Sequence, residues 1–238
     1  MPLFGAALDA ARVTPGTRLL DAGCGAGLLV VLASLRGAQV SALDASAALT
    51  AIVRQRVPAA DVRDGDLEAL PFTDSTFDAV TAVNSLFYAA DMEAAMRELV
   101  RVLRPGGRAV VTAWGPPERC QFLGAVMPAL RPLMPPPPPG TSPPHPGALS
   151  QPGALAAVLK RAGLRVVQEG EVVCPFVFPS TEVSWRANAS AGVNQAAIRH
   201  SGEAAVRAVY ADADHAHMRP DGSIRYENVF LWVAGERR

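Results

Sequence analysis

This 238-residue chain has little cysteine, and its three cysteines, Cys24, Cys120 and Cys174, are odd in number and widely spaced. Such a set makes no disulfide framework and predicts a reducing, cytosolic setting. Long apolar runs are missing too. Asp, Arg, Pro or Gly interrupts every stretch before the ~20 residues that a membrane helix needs, so no membrane role is expected. The start, Met1-Pro2-Leu3-Phe4, has neither the basic residues nor the apolar core of a secretory leader. An excess of either charge is also absent: 22 Lys+Arg face 22 Asp+Glu. With a pI of about 6.9, that balance argues against a dedicated nucleic-acid binder. Lysine is nearly absent, Lys160 standing alone beside many arginines, a bias of GC-rich bacterial genomes that carries no chemistry.

What is there is 50% hydrophobic and 18% charged, the make-up of a globular chain that buries roughly 70–75% of its unfolded surface at this length. Short β-like runs alternate with helical stretches through the first half. Helices are expected near Leu3–Ala11, Leu28–Leu35, Ala47–Gln55 and Met92–Leu103, and strands at Arg18–Ala22, Gln39–Leu43, Ala60–Arg63, Phe77–Val83 and Arg108–Ala113. The 92–103 helix carries Met92, Ala95, Met96, Leu99, Val100 and Leu103 at i, i+3, i+4 spacing. Pro105-Gly106-Gly107 ends it. This alternation implies a mostly parallel sheet with helices on both faces.

The regularity breaks after Trp114. Ten of the 21 prolines lie between Arg131 and Pro152, Pro135–Pro139 among them. Such a segment reads as a semi-rigid connector, or as a ligand for a proline-binding module. A helix over Gly153–Ala162, a strand at Leu164–Val173, helical segments between Thr181 and Ala211, and a last strand at Ile224–Val233 complete the expectation.

The most informative stretch is Leu20-Asp21-Ala22-Gly23-Cys24-Gly25-Ala26-Gly27, running from a strand into a helix. Glycines let the backbone turn sharply and approach a ligand, and the helix start offers unpaired amides. Dinucleotide binding needs G-x-G-x-x-G, whereas these glycines fall at 23, 25 and 27. Asp21 would repel a pyrophosphate. It suits a ligand that carries an ammonium group and no phosphate.

With this loop the chain resembles the class I S-adenosylmethionine-dependent methyltransferases, of the type 11 or ubiquinone-menaquinone biosynthesis kind. Three further stretches follow in the family's order. Asp44 ends the second strand, followed by Ala45; Gly65-Asp66-Leu67-Glu68-Ala69-Leu70-Pro71-Phe72 follows the third; Leu103-Arg104-Pro105-Gly106-Gly107 precedes the fifth. The resemblance implies a Rossmann-like α/β fold with a seven-stranded, mostly parallel sheet, its last strand antiparallel, and a helical cap inserted after the fifth strand. It implies a single domain over 1–238: a cofactor core at 1–115, a proline-rich insertion at 116–152, and a C-terminal half at 153–238 with further cap helices at about 180–211. The cofactor is S-adenosylmethionine and its product S-adenosylhomocysteine. Asp21, Gly23, Gly25, Gly27, Asp44, Ala45, Asp66, Leu67 and Asn84 would bind it, Asp44 on the ribose hydroxyls and Asp66 on the adenine amino group. Read without the resemblance, Asp44 and Asp66 could equally be strand-end caps.

The acceptor should sit beyond the fourth and fifth strands. Asn84-Ser85-Leu86-Phe87 stands where amine-methylating relatives carry Asp/Asn-Pro-Pro-aromatic, and both prolines are missing, which disfavours a nucleobase or amide acceptor. Phe87, Tyr88 and Trp114 either line an apolar substrate pocket or are ordinary core aromatics. No catalytic residue is assigned. His145 and His200 are base candidates outside any motif, and Asp212-Ala213-Asp214-His215-Ala216-His217 looks like a metal cluster without a partner motif, so no metal is expected. The stretch from Tyr210 to Asp221 reads as a connection into the last strand. The expected activity is methyl transfer to a small molecule, with no nucleic-acid or membrane partner, by a monomer or homodimer. The alternatives are a silent cofactor-binding regulator and an RNA or protein methyltransferase.

Overall fold

A computed structural model describes residues 2–136 and 146–238. The elements are α1 (Pro2–Ala10), β1 (Arg18–Ala22), α2 (Leu28–Leu35), β2 (Gln39–Asp44), α3 (Ala47–Arg56), β3 (Asp61–Asp64), β4 (Phe77–Val83), α4 (Met92–Val102) and β5 (Leu103–Trp114). There follow α5 (Gln121–Leu130), α6 (Ala154–Arg161), β6 (Arg165–Val173), β7 (Phe176–Phe178), α7 (Thr181–Ala189), α8 (Gly192–Ser201), α9 (Glu203–Ala216), β8 (Ile224–Tyr226) and β9 (Val229–Glu236). Two compact units result: Met1–Trp114 with Pro144–Val172 and Phe230–Arg238, and Gly115–Pro143 with Val173–Val229.

The first unit is built on a seven-stranded sheet of order β3-β2-β1-β4-β5-β9-β6, in which six strands run parallel and β9 runs antiparallel to β5. This is the expected α/β class. Side chains alternate across it as strand geometry requires. Leu20, Val80, Val111 and Ala113 face one core with Ala95, Met96 and Leu99 of α4. Leu19, Ala79 and Val110 face the other with Ala7 and Leu8 of α1 and Leu29, Val30 and Ala33 of α2. The Asp91 carboxylate caps α4, accepting from the Glu93 and Ala94 amides at 2.9 Å, which fixes where the helix starts.

Two boundaries differ from expectation. Pro105-Gly106-Gly107 does not separate helix from strand. It sits inside β5, whose pairing with β4 jumps from Phe77↔Leu103 to Ala79↔Arg108. A Cβ on Gly107 would lie 2.9 Å from the Asp78 carbonyl oxygen, so the outlooped strand needs glycine there. The expected last strand is likewise two strands. Ile224–Tyr226 pairs with β7 in a separate two-stranded sheet, and only β9 joins the main sheet. Between them the buried Asn228 side chain accepts from the Phe122 amide at 3.1 Å and donates to the Tyr226 carbonyl at 3.3 Å. It satisfies backbone groups where the ladder stops.

The second unit packs α5, α7, α8 and α9 with the two-stranded antiparallel β7–β8 sheet. Phe122 lies 5.4 Å from Phe176 and 5.3 Å from Tyr226, ring centre to ring centre. The residues from Tyr210 onward do not form the expected connection. α9 continues through them to Ala216, because Val206, Tyr210, Ala213 and Asp214 make one buried helical face. Asp214 belongs to that face because Ser184 and Tyr226 donate to its carboxylate, at 3.0 and 2.7 Å. The Pro135–Pro139 run extends beyond the described residues, and His145 lies outside them. Among the described residues no helix is long and apolar enough to cross a membrane.

Candidate active site

The carboxyl ends of β1, β2 and β4 bring most of the singled-out residues together in the first unit. Three glycines turn the chain out of β1, with φ of 77° at Gly23, 53° at Gly25 and 80° at Gly27, a region that disfavours any residue with a Cβ. The Gly23 and Cys24 amides donate to the Leu43 carbonyl at 2.8 and 2.9 Å, tying the loop to the end of β2. A Cβ on Gly23 would fall 2.3 Å from that of Ser85, and one on Gly27 would fall 2.8 Å from the Val53 side chain. At Gly25 a Cβ would meet nothing within 4 Å. The open side of the loop is there.

Asp44 stands at that opening. Its Oδ2 accepts from the Gly25 amide at 2.8 Å and its Oδ1 from the Ser46 amide at 2.9 Å, so both oxygens are held in place with lone pairs to spare. Ala45 beside it is exposed. The Gly65 amide donates to the Asp44 carbonyl at 3.1 Å, joining the loop after β3 to the same edge. In that loop Asp66 is exposed, accepts from the Glu68 amide at 3.0 Å, and precedes the half-buried Leu67.

Asp21 is the one charged residue buried within β1. Its Oδ1 accepts from the Thr81 hydroxyl at 2.8 Å. Burial pushes its carboxyl up to about 7, the Thr81 bond opposes the rise, and the nearby Asp44 charge adds to it. Burial also raises the Cys24 thiol, helped by Asp21 and Asp44. That cysteine is no nucleophile.

Beyond β4 the chain turns at Asn84, a non-glycine residue at φ 52°. Its amide donates to Thr112 Oγ1 at 3.0 Å, and the Thr112 hydroxyl donates to Asn84 Oδ1 at 3.2 Å. Ser85 is buried under the glycine loop and donates to the Ala22 carbonyl at 2.7 Å. The following 3-10 turn buries Phe87 and exposes Tyr88, their rings 4.5 Å apart. Trp114, at the end of β5, packs on Phe230 at 4.5 Å.

Thr81 and Thr112, which position Asp21 and Asn84, were missed in the sequence reading, and Ser85, packed against Gly23, was given no such role. The available signal for the two threonines was a single hydroxyl residue inside each apolar strand. Asp21 and Thr81 are register partners, as are Val83 and Thr112. Among the described residues the histidines do not join the site residues. His200 ends α8, exposed, and His217 Nδ1 lies 2.9 Å from the Ala213 carbonyl while its ring packs on Tyr226. Among the described residues no three His, Cys, Asp or Glu side chains gather as a metal site would require.

Residues 20–111 match the family model described as a methyltransferase domain. The demethylmenaquinone methyltransferase of Thermus thermophilus is 40% identical over 122 residues, 49% of this chain and 56% of that one. The chain spans about half the length, or less, of the curated relatives it matches. Among solved structures, the [4+2]-cyclase SpnF superposes with a TM-score of 0.62 at 22% identity, covering 99% of this chain and 80% of that one. Geranyl diphosphate methyltransferase in complex with SAM gives 0.57 at 19%, covering 99% and 84%.

Proposed function

We propose that the chain, whose residues 20–111 match the methyltransferase domain model, is an S-adenosylmethionine-dependent methyltransferase that transfers a methyl group to a C-, O- or N-nucleophile of a small molecule. It does so in the cytoplasm, as a monomer or homodimer. The observation that carries the reading is the glycine loop with Asp44 pinned across it by the Gly25 and Ser46 amides. The donor fits these residues. Space opens beside Gly25, and the Asp44 carboxylate has lone pairs for two vicinal hydroxyls. A buried Asp21 with a raised carboxyl is where an ammonium group restores the charged form.

The bound donor supplies a methyl group on a positively charged sulfur, already activated for displacement. The chain's own residues bind and orient. Asp21 holds the ammonium end, the Gly23–Gly27 backbone closes on the amino-acid tail, and Asp44 fixes the ribose. Asp66 and Leu67 take the adenine, and Ala45 and Asn84 complete the wall. Phe87, Tyr88 and Trp114 line the acceptor side and exclude water. Holding donor and acceptor in line is worth roughly 7–11 kcal/mol of the barrier. With the donor held there, an acceptor lone pair would bond the methyl carbon as the carbon–sulfur bond broke, its electron pair neutralising the sulfur, and any acceptor proton would leave to solvent, so the step would need no metal and no enzyme base when the acceptor ionises readily. A small-molecule acceptor is supported by the name of the Thermus relative and by the balance of 22 basic and 22 acidic residues, which gives no net positive charge to draw nucleic acid.

The test is a melting experiment followed by turnover. S-adenosylmethionine or S-adenosylhomocysteine at a hundredfold excess over Kd stabilises by about 2.7 kcal/mol, whereas NAD and NADP give no shift. A shift with NAD alone refutes the reading. Methyl transfer to a metabolite panel then separates an enzyme from a silent binder.

A further inference from the structure

A cavity of about 370 Å³ in the first unit lies away from the glycine loop. It opens at the other end of the sheet, where β1, β4 and β5 begin, and Arg12, Thr14, Thr17, Asp78, Arg104 and Arg108 line it. Arg108 is only 9% exposed. Its guanidinium donates to the Ala10 carbonyl at 3.0 Å, yet its Nε has no hydrogen-bond partner. The nearest carboxylate, Glu236, is 4.0 Å away and is itself held by Arg165 at 2.6 Å. A buried, unpaired guanidinium N–H is costly unless something accepts from it.

We propose that this cavity is a second binding site, for a small molecule carrying a phosphoryl group. The charges favour a dianion. Arg12, Arg104 and Arg108 stand against one lining carboxylate, Asp78, which is already paired with Arg18 at 3.0 Å and Arg104 at 2.9 Å. Guanidinium groups match phosphate oxygens in geometry as well as charge. Thr14 and Thr17 line the cavity too, their hydroxyls 3.3 Å apart, and whichever of the two accepts in that pair keeps its own O–H to donate. The volume lies in the range of small-molecule sites and exceeds what a bare phosphate fills.

Two features support a ligand over a purely structural arginine. Arg12 follows α1 at φ 57°, a position where glycine is the comfortable residue. The chain bears a left-handed arginine there, and that arginine adds a cation to the rim. Burial and the Arg12 charge also pull the Arg108 guanidinium below its ordinary value, with Glu236 acting against them and Arg165 with them. A bound anion removes that conflict. The proposal is independent of the methyl-donor reading, because no residue is shared between the two sites.

The probe is inorganic pyrophosphate, titrated into the full chain by calorimetry and melting, with potassium chloride at matched ionic strength as control. The expected result is saturable binding, weakened about tenfold or more in Arg12→Ala and in Arg104→Ala, and lost in Arg108→Met. Arg12 and Arg104 are exposed, so those two variants keep the test valid if Arg108→Met does not fold. Binding that never saturates, or an affinity unchanged in both exposed variants, means an adventitious ion only and overturns the proposal.

Discussion

Gly23→Ala should be among the most damaging single-methyl changes in the first unit. The new Cβ would lie 2.3 Å from Ser85 Cβ and 2.8 Å from its Oγ. Ser85 cannot swing aside freely, since it is buried and its hydroxyl is bonded to the Ala22 carbonyl at 2.7 Å. Overpacking of this kind costs about 1–3 kcal/mol, the left-handed backbone at φ 77° adds about 1–2 kcal/mol, and a displaced hydroxyl about 1 kcal/mol more. The sum, roughly 3–6 kcal/mol, is a large share of the 5–15 kcal/mol that holds a domain folded. Gly25→Ala is the control. Its Cβ meets no protein atom within 4 Å, so only the backbone cost of about 1–2 kcal/mol remains, while the methyl occupies donor space and S-adenosylhomocysteine affinity falls. Urea denaturation of both variants, of Ser85→Gly, and of Gly23→Ala/Ser85→Gly measures the terms separately. The double variant should recover about 2 kcal/mol relative to additivity. Equal destabilisation by the two alanines, or no coupling in the cycle, refutes the reasoning.

Asp44→Ala leaves two ribose hydroxyls without their charged acceptor, a loss of about 1.5–3 kcal/mol in cofactor affinity, while the strand-end position lets the fold survive; unchanged calorimetric affinity in a folded variant means the ribose lies elsewhere. Asp21 predicts a pH dependence whose sign follows from its raised carboxyl at about 7. The folded state holds that proton more tightly than the unfolded chain, so this group's stabilisation is complete below the ordinary carboxylate range and is lost as pH rises through 7. Melting followed from pH 4 to 8 should show this decline in the wild type and not in Asp21→Asn. Binding an ammonium ligand near pH 6 should release a proton, read as a calorimetric enthalpy that changes with the buffer's ionisation heat; a buffer-independent enthalpy contradicts the Asp21 role. Activity should persist in chelator and in His215→Ala and His217→Ala, apart from a stability loss of about 1 kcal/mol in the latter from its bond and ring contact; loss restored by a divalent ion would overturn the metal-free step.

What the sequence alone determined is local. The order of strands and helices, the Asp21-to-Gly27 loop and the Asp44 strand end follow from periodicity and from glycines spaced two apart, since these features need only neighbouring residues to be read. The tertiary structure decided what depends on register and distance. Thr81 supports Asp21 because β4 pairs beside β1 with those two residues opposite; sixty positions of chain separate them, and no spacing rule links them. Ile224–Val233 reads as one strand because its residues are uniformly β-forming, yet Asn228 interrupts it by turning a polar side chain inward to satisfy two backbone groups. Asp214 looked like part of a metal cluster, whereas Ser184 and Tyr226, brought from other elements, make a buried carboxylate affordable there. The cavity at the amino end of the sheet is the extreme case. Arg104 and Arg108 near the start of β5 share this cavity with Arg12 only because the fold brings the end of α1 to the edge where the parallel strands begin, so arginines that look unremarkable along the chain become a concentrated charge there.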